Sequence, residues 1–296
     1  MNIIARDLTK SYRNKTVLNS INFTISHNSI LGVMGKNGAG KTTLNKLICG
    51  LTLPSSGEIL IGDEPATKAF KKVSLLSENI SIYPNLSAWE NLEQIFLINN
   101  IKPDKKKTSE LLDIISLDNM KKPAKNFSLG MKRRLQIAMS TMIVPKDIII
   151  LDEPTNGLDI NGLLWLKEQI KTFKEQGKTI IISSHAINEL ETLFTDYMII
   201  ANGKIVESKN IKEDYLSELH LGVEKDSLNN TKKIIESLNL TYSIDNDGLI
   251  IIKLTIDNIQ GQIFTELSKN KITPTTYTIR KQSLVDIYSR YIKNNS

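Results

Sequence analysis

The 296-residue sequence predicts an α/β domain with a largely parallel sheet over residues 1–215, interrupted by a helical insert at about 79–140, and a small α+β domain over 216–296. Through the first part, short apolar runs such as Ile30–Met34 and Thr179–Ser184 alternate with helical patterns, as parallel strands joined by crossover helices require. A glycine-rich turn follows one of these runs directly, at the carboxyl end of the strand. After residue 215 the pattern becomes strand 219–224, helix 226–238, strands 240–245 and 248–256 around Asn246-Asp247-Gly248, helix 258–269, strand 272–279 and helix 283–293. That βαββαβ order with a last helix suggests a ferredoxin-like unit.

Taken in chain order, the first informative element is Gly35-Lys36-Asn37-Gly38-Ala39-Gly40-Lys41-Thr42, with Thr43 behind it, which fits a phosphate-cradling loop at each required position. Glycines let successive N–H groups turn inward toward phosphate oxygens, and the following helix aims its positive end at the same spot. Lys41 is placed to reach the β- and γ-phosphates and the Thr42 hydroxyl to ligate Mg²⁺. The strand Ile30–Met34 precedes the loop, and Thr43–Cys49 reads as a helix closed by Gly50. A P-loop NTPase core that binds a nucleoside triphosphate is the expectation.

In the insert, Ser87–Phe96 and Ser109–Ile115 read as helices with N-caps. Asp147–Leu151 reads as a buried strand that runs into Asp152, Glu153 and Pro154. Beside a phosphate loop, Asp152 is expected to hold the metal and Glu153 to polarise an attacking water.

Bulk properties narrow the class. The apolar runs are strand-sized, far short of the 18 or so residues a membrane span needs, so membrane work is expected to go through a partner. The first residues show no basic stretch leading into an apolar one, which gives no secretory signal and a cytoplasmic expectation. Cys49, the sole cysteine, suits a small buried apolar position better than a redox centre. The net charge of +6 is local: residues 99–134 carry ten Lys or Arg against four acids, and the remainder is neutral. Aromatic residues are not interleaved with this charge, so no nucleic-acid partner is expected, leaving a solvated face or one turned toward anionic lipid.

A further set of motifs follows in fixed order: Phe127-Ser128-Leu129-Gly130-Met131-Lys132-Arg133-Arg134, then Asp152 24 residues after Ser128, then Asn156-Gly157-Leu158-Asp159 and Ser183-Ser184-His185. With the phosphate loop, this resembles the ATPase subunit of ABC transporters over residues 1 to about 210. The resemblance implies the ABC ATPase fold and a head-to-tail dimer, of two copies or of this chain with a related one. Two ATP molecules and Mg²⁺ would lie at its interface, each site pairing one protomer's Lys41 loop with the other's Ser128 segment. Ser128 and the N–H groups of Leu129 and Gly130 open the helix Met131–Met142, so a γ-phosphate there would meet a hydroxyl and a positive helix end; an ordinary N-cap is the plainer alternative. His185 matches the family's γ-phosphate contact. Tyr12 resembles its adenine-stacking aromatic, with an edge-strand tyrosine as the alternative.

Two departures point within the family. Leu129 and Met131 stand where the usual pattern has glycine and glutamine, whereas Ser128 and Gly130 keep their places. Glu78 stands where a glutamine usually reaches the metal, and a carboxylate is still a hard oxygen ligand for Mg²⁺. Together these are most similar to the bacitracin-resistance and lantibiotic-immunity branch, which implies export of amphipathic peptides or removal of antibiotics through separate permease subunits, with this chain peripheral on the cytoplasmic face. Importer ATPases append an all-β region, against which the helical patterns after residue 225 speak. Non-transport relatives resemble tandem cassettes or carry long coiled coils, whereas here 87 positions separate Lys41 from Ser128.

Overall fold

The computed structural model describes residues 1–77, 81–117, 122–184, 187–211, 217–245, 248–254, 259–281 and 283–294. Contacts divide the chain into two units, Met1–Ile211 and Lys212–Ser296. In chain order the first unit runs β1 (Ile3–Tyr12), β2 (Lys15–Ile25), β3 (Ile30–Met34), α1 (Lys41–Ile48), β4 (Ser56–Ile61), β5 (Glu64–Pro65), α2 (Ala66–Ala69) and β6 (Val73–Leu76). The insert follows as α3 (Ala88–Ile98), α4 (Lys105–Ile114) and α5 (Leu129–Thr141), and the unit ends with β7 (Ile148–Asp152), α6 (Ile160–Glu175), β8 (Thr179–Ser183), β9 (Asp196–Ala201) and β10 (Lys204–Asn210).

The main sheet has the order β10-β9-β3-β8-β7-β6. Its five strands from β9 to β6 are parallel, and β10 lies antiparallel on the edge. Strands β3, β7 and β8 are buried at every residue, which is why they read as unbroken apolar runs rather than alternating ones. Leu44, Leu47 and Ile48 of α1 pack in one core with Ile150, Ile181 and Ile200 of the sheet. That packing fixes the loop between β3 and α1 over the sheet's carboxyl edge.

The largely parallel sheet read for residues 1–215 is present, and the structure adds a second sheet beside it. Strands β1, β2, β4 and β5 form a second sheet, antiparallel throughout, in the order β2-β1-β4-β5. The β1–β2 hairpin pairs Tyr12 with Lys15 across Arg13 and Asn14, and Arg13 takes the left-handed conformation with φ +50°. An Arg-Asn turn lacks the glycine that marks most two-residue hairpins, so the reversal left little trace in the sequence.

Between β6 and β7 the described residues contain no strand. Ser87 and Glu90 cap α3 reciprocally: Ser87 Oγ accepts from the Glu90 N–H at 3.2 Å and Glu90 Oε2 accepts from the Ser87 N–H at 2.7 Å. Helix α4 starts earlier than the Ser109 reading because Asp104 caps it, accepting from the Lys106 N–H at 2.9 Å. Leu92, Phe96, Leu111, Leu112, Leu135 and Ala138 close the insert's own core.

The basic run is not one solvated face. Arg133 is 4% exposed. Arg134 Nη1 donates to the Ile115 carbonyl at 2.8 Å, Lys107 Nζ to the Ile143 carbonyl at 3.4 Å, and Lys125 Nζ to Asn85 Oδ1 at 3.3 Å. Lys122 lies over the Phe127 ring, 5.9 Å from its centroid. Lys107 and Arg134 thus bond within the insert and Arg133 outside it, whereas Lys102, Lys105, Lys106, Lys122 and Lys125 are exposed.

The second unit runs β11 (Ser217–Gly222), α7 (Leu228–Ser237), β12 (Tyr242–Ile244), β13 (Ile250–Leu254), α8 (Ile259–Lys269), β14 (Thr276–Lys281) and α9 (Leu284–Asn294). Its antiparallel sheet has the order β12-β13-β11-β14, a split βαβ arrangement. Leu219, Leu221, Ile250 and Ile252 pack against Ile235, Ile263 and Leu267 of α7 and α8. The last strand begins at Thr276 rather than 272: Ile272 packs into the core, and Pro274 cannot donate to a ladder.

Cys49 lies at the end of α1, buried in the main core, and burial pushes its thiol up to about 12. At pH 8 its thiolate fraction is therefore on the order of 10⁻⁴. Native protein is expected to resist iodoacetamide at that pH and to take up one equivalent on denaturation, read by intact mass.

Candidate active site

The site is built where β3, β7 and β8 end together. Gly35 follows β3 with no room for a side chain, since a Cβ there would lie 2.5 Å from the Ile200 carbonyl oxygen. Gly40 adopts φ +115° at the start of α1, a conformation open to glycine, and a Cβ there would meet Leu18 at 2.6 Å. No side chain caps α1 at its amino end, so the helix presents its first-turn N–H groups and positive dipole to the loop.

Lys41 opens α1 and is 8% exposed. Its Nζ donates to the Gly35 carbonyl at 2.6 Å and, more weakly, to that of Lys36 at 3.4 Å. Burial holds the ammonium below the usual lysine range, and the nearby charges of Glu153 and Asp152 oppose that shift. A phosphate chain in the loop would act in the same sense as those carboxylates.

Thr42 Oγ1 donates to Asp152 Oδ2 at 3.1 Å. The other carboxylate oxygen, Oδ1, accepts from the Ser183 hydroxyl. Glu153 takes φ +50°, a left-handed conformation that costs a non-glycine residue about 1–2 kcal/mol. It is held there from several sides: its N–H donates to the Ser183 carbonyl at 2.8 Å, and Oε2 accepts from Ser184 Oγ at 3.3 Å. Asp152 and Glu153 are 3% and 8% exposed. Together with Asn37, Gly38, Gly40, Lys41, Thr42, Thr43 and Val17 they line a cleft of about 270 Å³.

Sequence reasoning missed two side chains behind this cleft. Arg133 of α5 donates Nη2 to the carbonyls of Asp152 at 3.0 Å and Glu153 at 2.6 Å, and Nε to that of Pro154 at 3.4 Å. In sequence it is one more cation of the basic stretch, and nothing in a run of Lys-Arg-Arg separates a buried guanidinium from an exposed one. Asn45 of α1 donates Nδ2 to Ser183 Oγ at 2.9 Å. Its only signal was a polar residue between Leu44 and Leu47, within an apolar stripe.

The remaining expected residues lie apart from the cleft or outside the described chain. Ser128 caps α5, accepting from the Met131 N–H at 3.2 Å, and the helix begins at Leu129, two residues before the reading of 131. Gly130 faces the turn after Glu153, where an added Cβ would sit 3.3 Å from the Gly157 carbonyl oxygen. Tyr12 stands exposed at the end of β1 with Lys10 Nζ 4.8 Å from its ring centroid. β1 lies between β2 and β4, but the ladder with β4 ends at Thr9, so Tyr12 pairs only with Lys15 of β2. Glu78 and His185 fall outside the described residues.

A parallel sheet with a glycine-rich loop at its carboxyl edge, a helix amino end behind it and an acid-terminated strand beside it defines a phosphate-loop nucleotide-binding protein. Residues 18–156 match the family model described as ABC transporter. The chain is 40% identical over 206 residues to the lantibiotic transport ATP-binding protein SrtF of Streptococcus pyogenes, covering 69% of this chain and 89% of that one. It is 33% identical over 297 residues to the bacitracin transport ATP-binding protein BcrA of Bacillus licheniformis, covering 97% and 95%. Among solved structures, a post-hydrolysis dimer of the ATP-binding cassette MJ0796 bound to ADP and Pi superposes with a TM-score of 0.62 at 23% identity, over 71% of this chain and 98% of that one. The chain belongs to the ATP-binding proteins of ABC transporters.

Arg133→Ala would leave the carbonyls of Asp152, Glu153 and Pro154 without their buried donor, an expected loss of about 2–4 kcal/mol. Urea denaturation of the variant measures it, and Arg133→Lys should recover part of the loss.

Proposed function

We propose that the chain is the ATP-hydrolysing subunit of an exporter, peripheral on the cytoplasmic side of the membrane, that drives separate permease subunits to move amphipathic antimicrobial peptides of the lantibiotic or bacitracin kind. The observation that carries the reading is the meeting of Lys41, Thr42, Asp152 and Glu153 at one cleft beside the phosphate loop. The substrate class is supported by SrtF and by BcrA, whose similarity runs through the C-terminal unit as well as the first. No described helix is long and apolar enough to cross a membrane, which fits a division of labour with other subunits.

On this reading Gly35–Thr43 cradle the triphosphate, with Lys41 turning from the Gly35 carbonyl to the β- and γ-phosphates. Thr42 and Asp152 would hold Mg²⁺. Their oxygens suit a hard cation. Bound there, Mg²⁺ would neutralise charge on the phosphate oxygens. Glu153, which lines the cleft, orients the attacking water. By resemblance, Tyr12 stacks on adenine, His185 and Glu78 contact the γ-phosphate and the metal, and Ser128 and Gly130 meet the γ-phosphate of the partner protomer's ATP. The dimer is head-to-tail, with a second copy or a related subunit.

The function is tested with purified protein and then with cells carrying the permease genes. Lys41→Ala should weaken ATP affinity by at least about tenfold, since a buried charge-assisted contact is lost. Glu153→Gln should keep binding and lower the hydrolysis rate by about 10²-fold or more, the usual scale for a positioned general base. Both variants should abolish peptide resistance, and a Glu153→Gln protein that hydrolyses ATP at the wild-type rate would remove Glu153 from its role.

A further inference from the structure

We infer that Asn45 is a positioning residue for Asp152, acting through Ser183, and that it sets how strongly the site links the metal ion to the nucleotide. The inference rests on the assignment of Asp152 to the metal. Asn45 stands on α1 three residues after Thr42, fully buried. Its neighbours Leu44, Leu47 and Ile48 belong to the main apolar core, where a polar amide costs about 1–3 kcal/mol unless it is bonded.

Its bond has a direction. Asn45 Nδ2 donates to Ser183 Oγ at 2.9 Å, Ser183 Oγ donates to Asp152 Oδ1, and Thr42 Oγ1 donates to Asp152 Oδ2 at 3.1 Å. A serine hydroxyl has one proton, and a carboxylate only accepts. With the amide nitrogen donating to a lone pair of Ser183, the hydroxyl proton is directed to Asp152. Were the amide reversed, Ser183 would face two acceptors with one proton. The relay therefore fixes the amide orientation, and Asn45 Oδ1 is left buried with no hydrogen-bond partner among the described residues.

An orphaned buried oxygen is a cost that a leucine at this position would avoid. The arrangement has a return: α1 holds both oxygens of Asp152, one directly from Thr42 and one from Asn45 by way of β8. If the metal draws Thr42 and Oδ2 to itself, Oδ1 stays fixed and the carboxylate cannot rotate. Partners that orient a metal ligand in this way are worth about 10–100-fold in metal affinity.

The test uses full-length protein, a non-hydrolysable ATP analogue and Mn²⁺ as the metal probe. Mn²⁺ affinity is read from the loss of the free-ion electron paramagnetic resonance signal, and analogue affinity is measured separately in EDTA. Asn45→Leu and Ser183→Ala should each lower Mn²⁺ affinity about tenfold. Both should leave analogue affinity in EDTA within about twofold, and the double variant should be no worse than either single one. Asn45→Asp, which turns an acceptor toward Ser183, should lose more. If Asn45→Leu does not fold, Ser183→Ala decides the matter from the other end of the relay. Wild-type Mn²⁺ affinity in Asn45→Leu or Ser183→Ala, with loss in Asp152→Asn, would overturn the inference and spare the assignment of Asp152. Unchanged affinity in Asp152→Asn as well would overturn both. An equal loss of analogue affinity in EDTA would mark Asn45 as a packing residue and overturn the inference.

Discussion

Two adjacent carboxylates, Asp152 and Glu153, stand nearly unexposed at the end of an apolar strand, and the first unit is arranged around keeping both of them there. Taking a charge out of water costs several kcal/mol per ion even after relaxation, so each needs donors. They come from different elements: Thr42 of α1, Ser183 at the end of β8 and Ser184 just after it, while the Lys41 ammonium, bonded to loop carbonyls, acts on the pair through its charge. Arg133 of α5 adds a positive group behind the strand, on the carbonyls of the same two residues. The phosphate loop, the central strands and the helical insert are thereby tied to one point. The parallel register of β7 on β8 is what makes this work, because it sets Asp152 beside Ser183. A slip of one residue would turn the hydroxyl to the other face of the sheet.

How much of this could be read in the chain depends on whether the chemistry is local. The loop Gly35–Thr42 was legible because a phosphate cradle dictates residue types at fixed spacing, and the acid pair because it ends an unbroken apolar run. Strand pairing is set at a distance. The antiparallel sheet of β1, β2, β4 and β5 escaped notice since its strands are half-exposed and alternating, and such a pattern does not say which strand lies alongside or in which direction. Asn45 and Ser183 are 138 positions apart, and neither residue type announces a partner. Arg133 was misplaced for the opposite reason: its neighbours Lys132 and Arg134 made it look like one more surface cation. Counting charge along the sequence finds where cations are, not which way they point.

The resulting picture of the insert changes what its basic character means. Lys107, Lys125 and Arg134 reach carbonyl or amide oxygens, and Lys107 also lies over Phe96, 5.4 Å from its ring centroid. Long cationic side chains are suited to this, since their stems cover apolar surface while the heads bond outward. The insert has a compact core, and cations fasten its loops to its helices. Part of the charge excess at residues 99–134 therefore bonds within a small helical subdomain, and part of it is exposed.

Leu129 shows how a departure from the family pattern can be coherent with the rest of the site. It opens α5 and is 68% exposed, an unusual setting for a leucine. Its side chain lies against Gly157 in the turn after Glu153: a Cβ on Gly157 would come within 2.4 Å of Leu129 Cγ, and Gly157 holds φ +81° besides. The leucine therefore leaves no room for a side chain at 157. Helix α5 grips the segment following β7 twice, with Arg133 on the buried side and Leu129 on the exposed side. Glu153 is thus held from two sides, its carbonyl by Arg133 of α5 and its N–H and carboxylate by Ser183 and Ser184. The helical insert and the end of β7 are thereby joined within one protomer at a buried and an exposed contact.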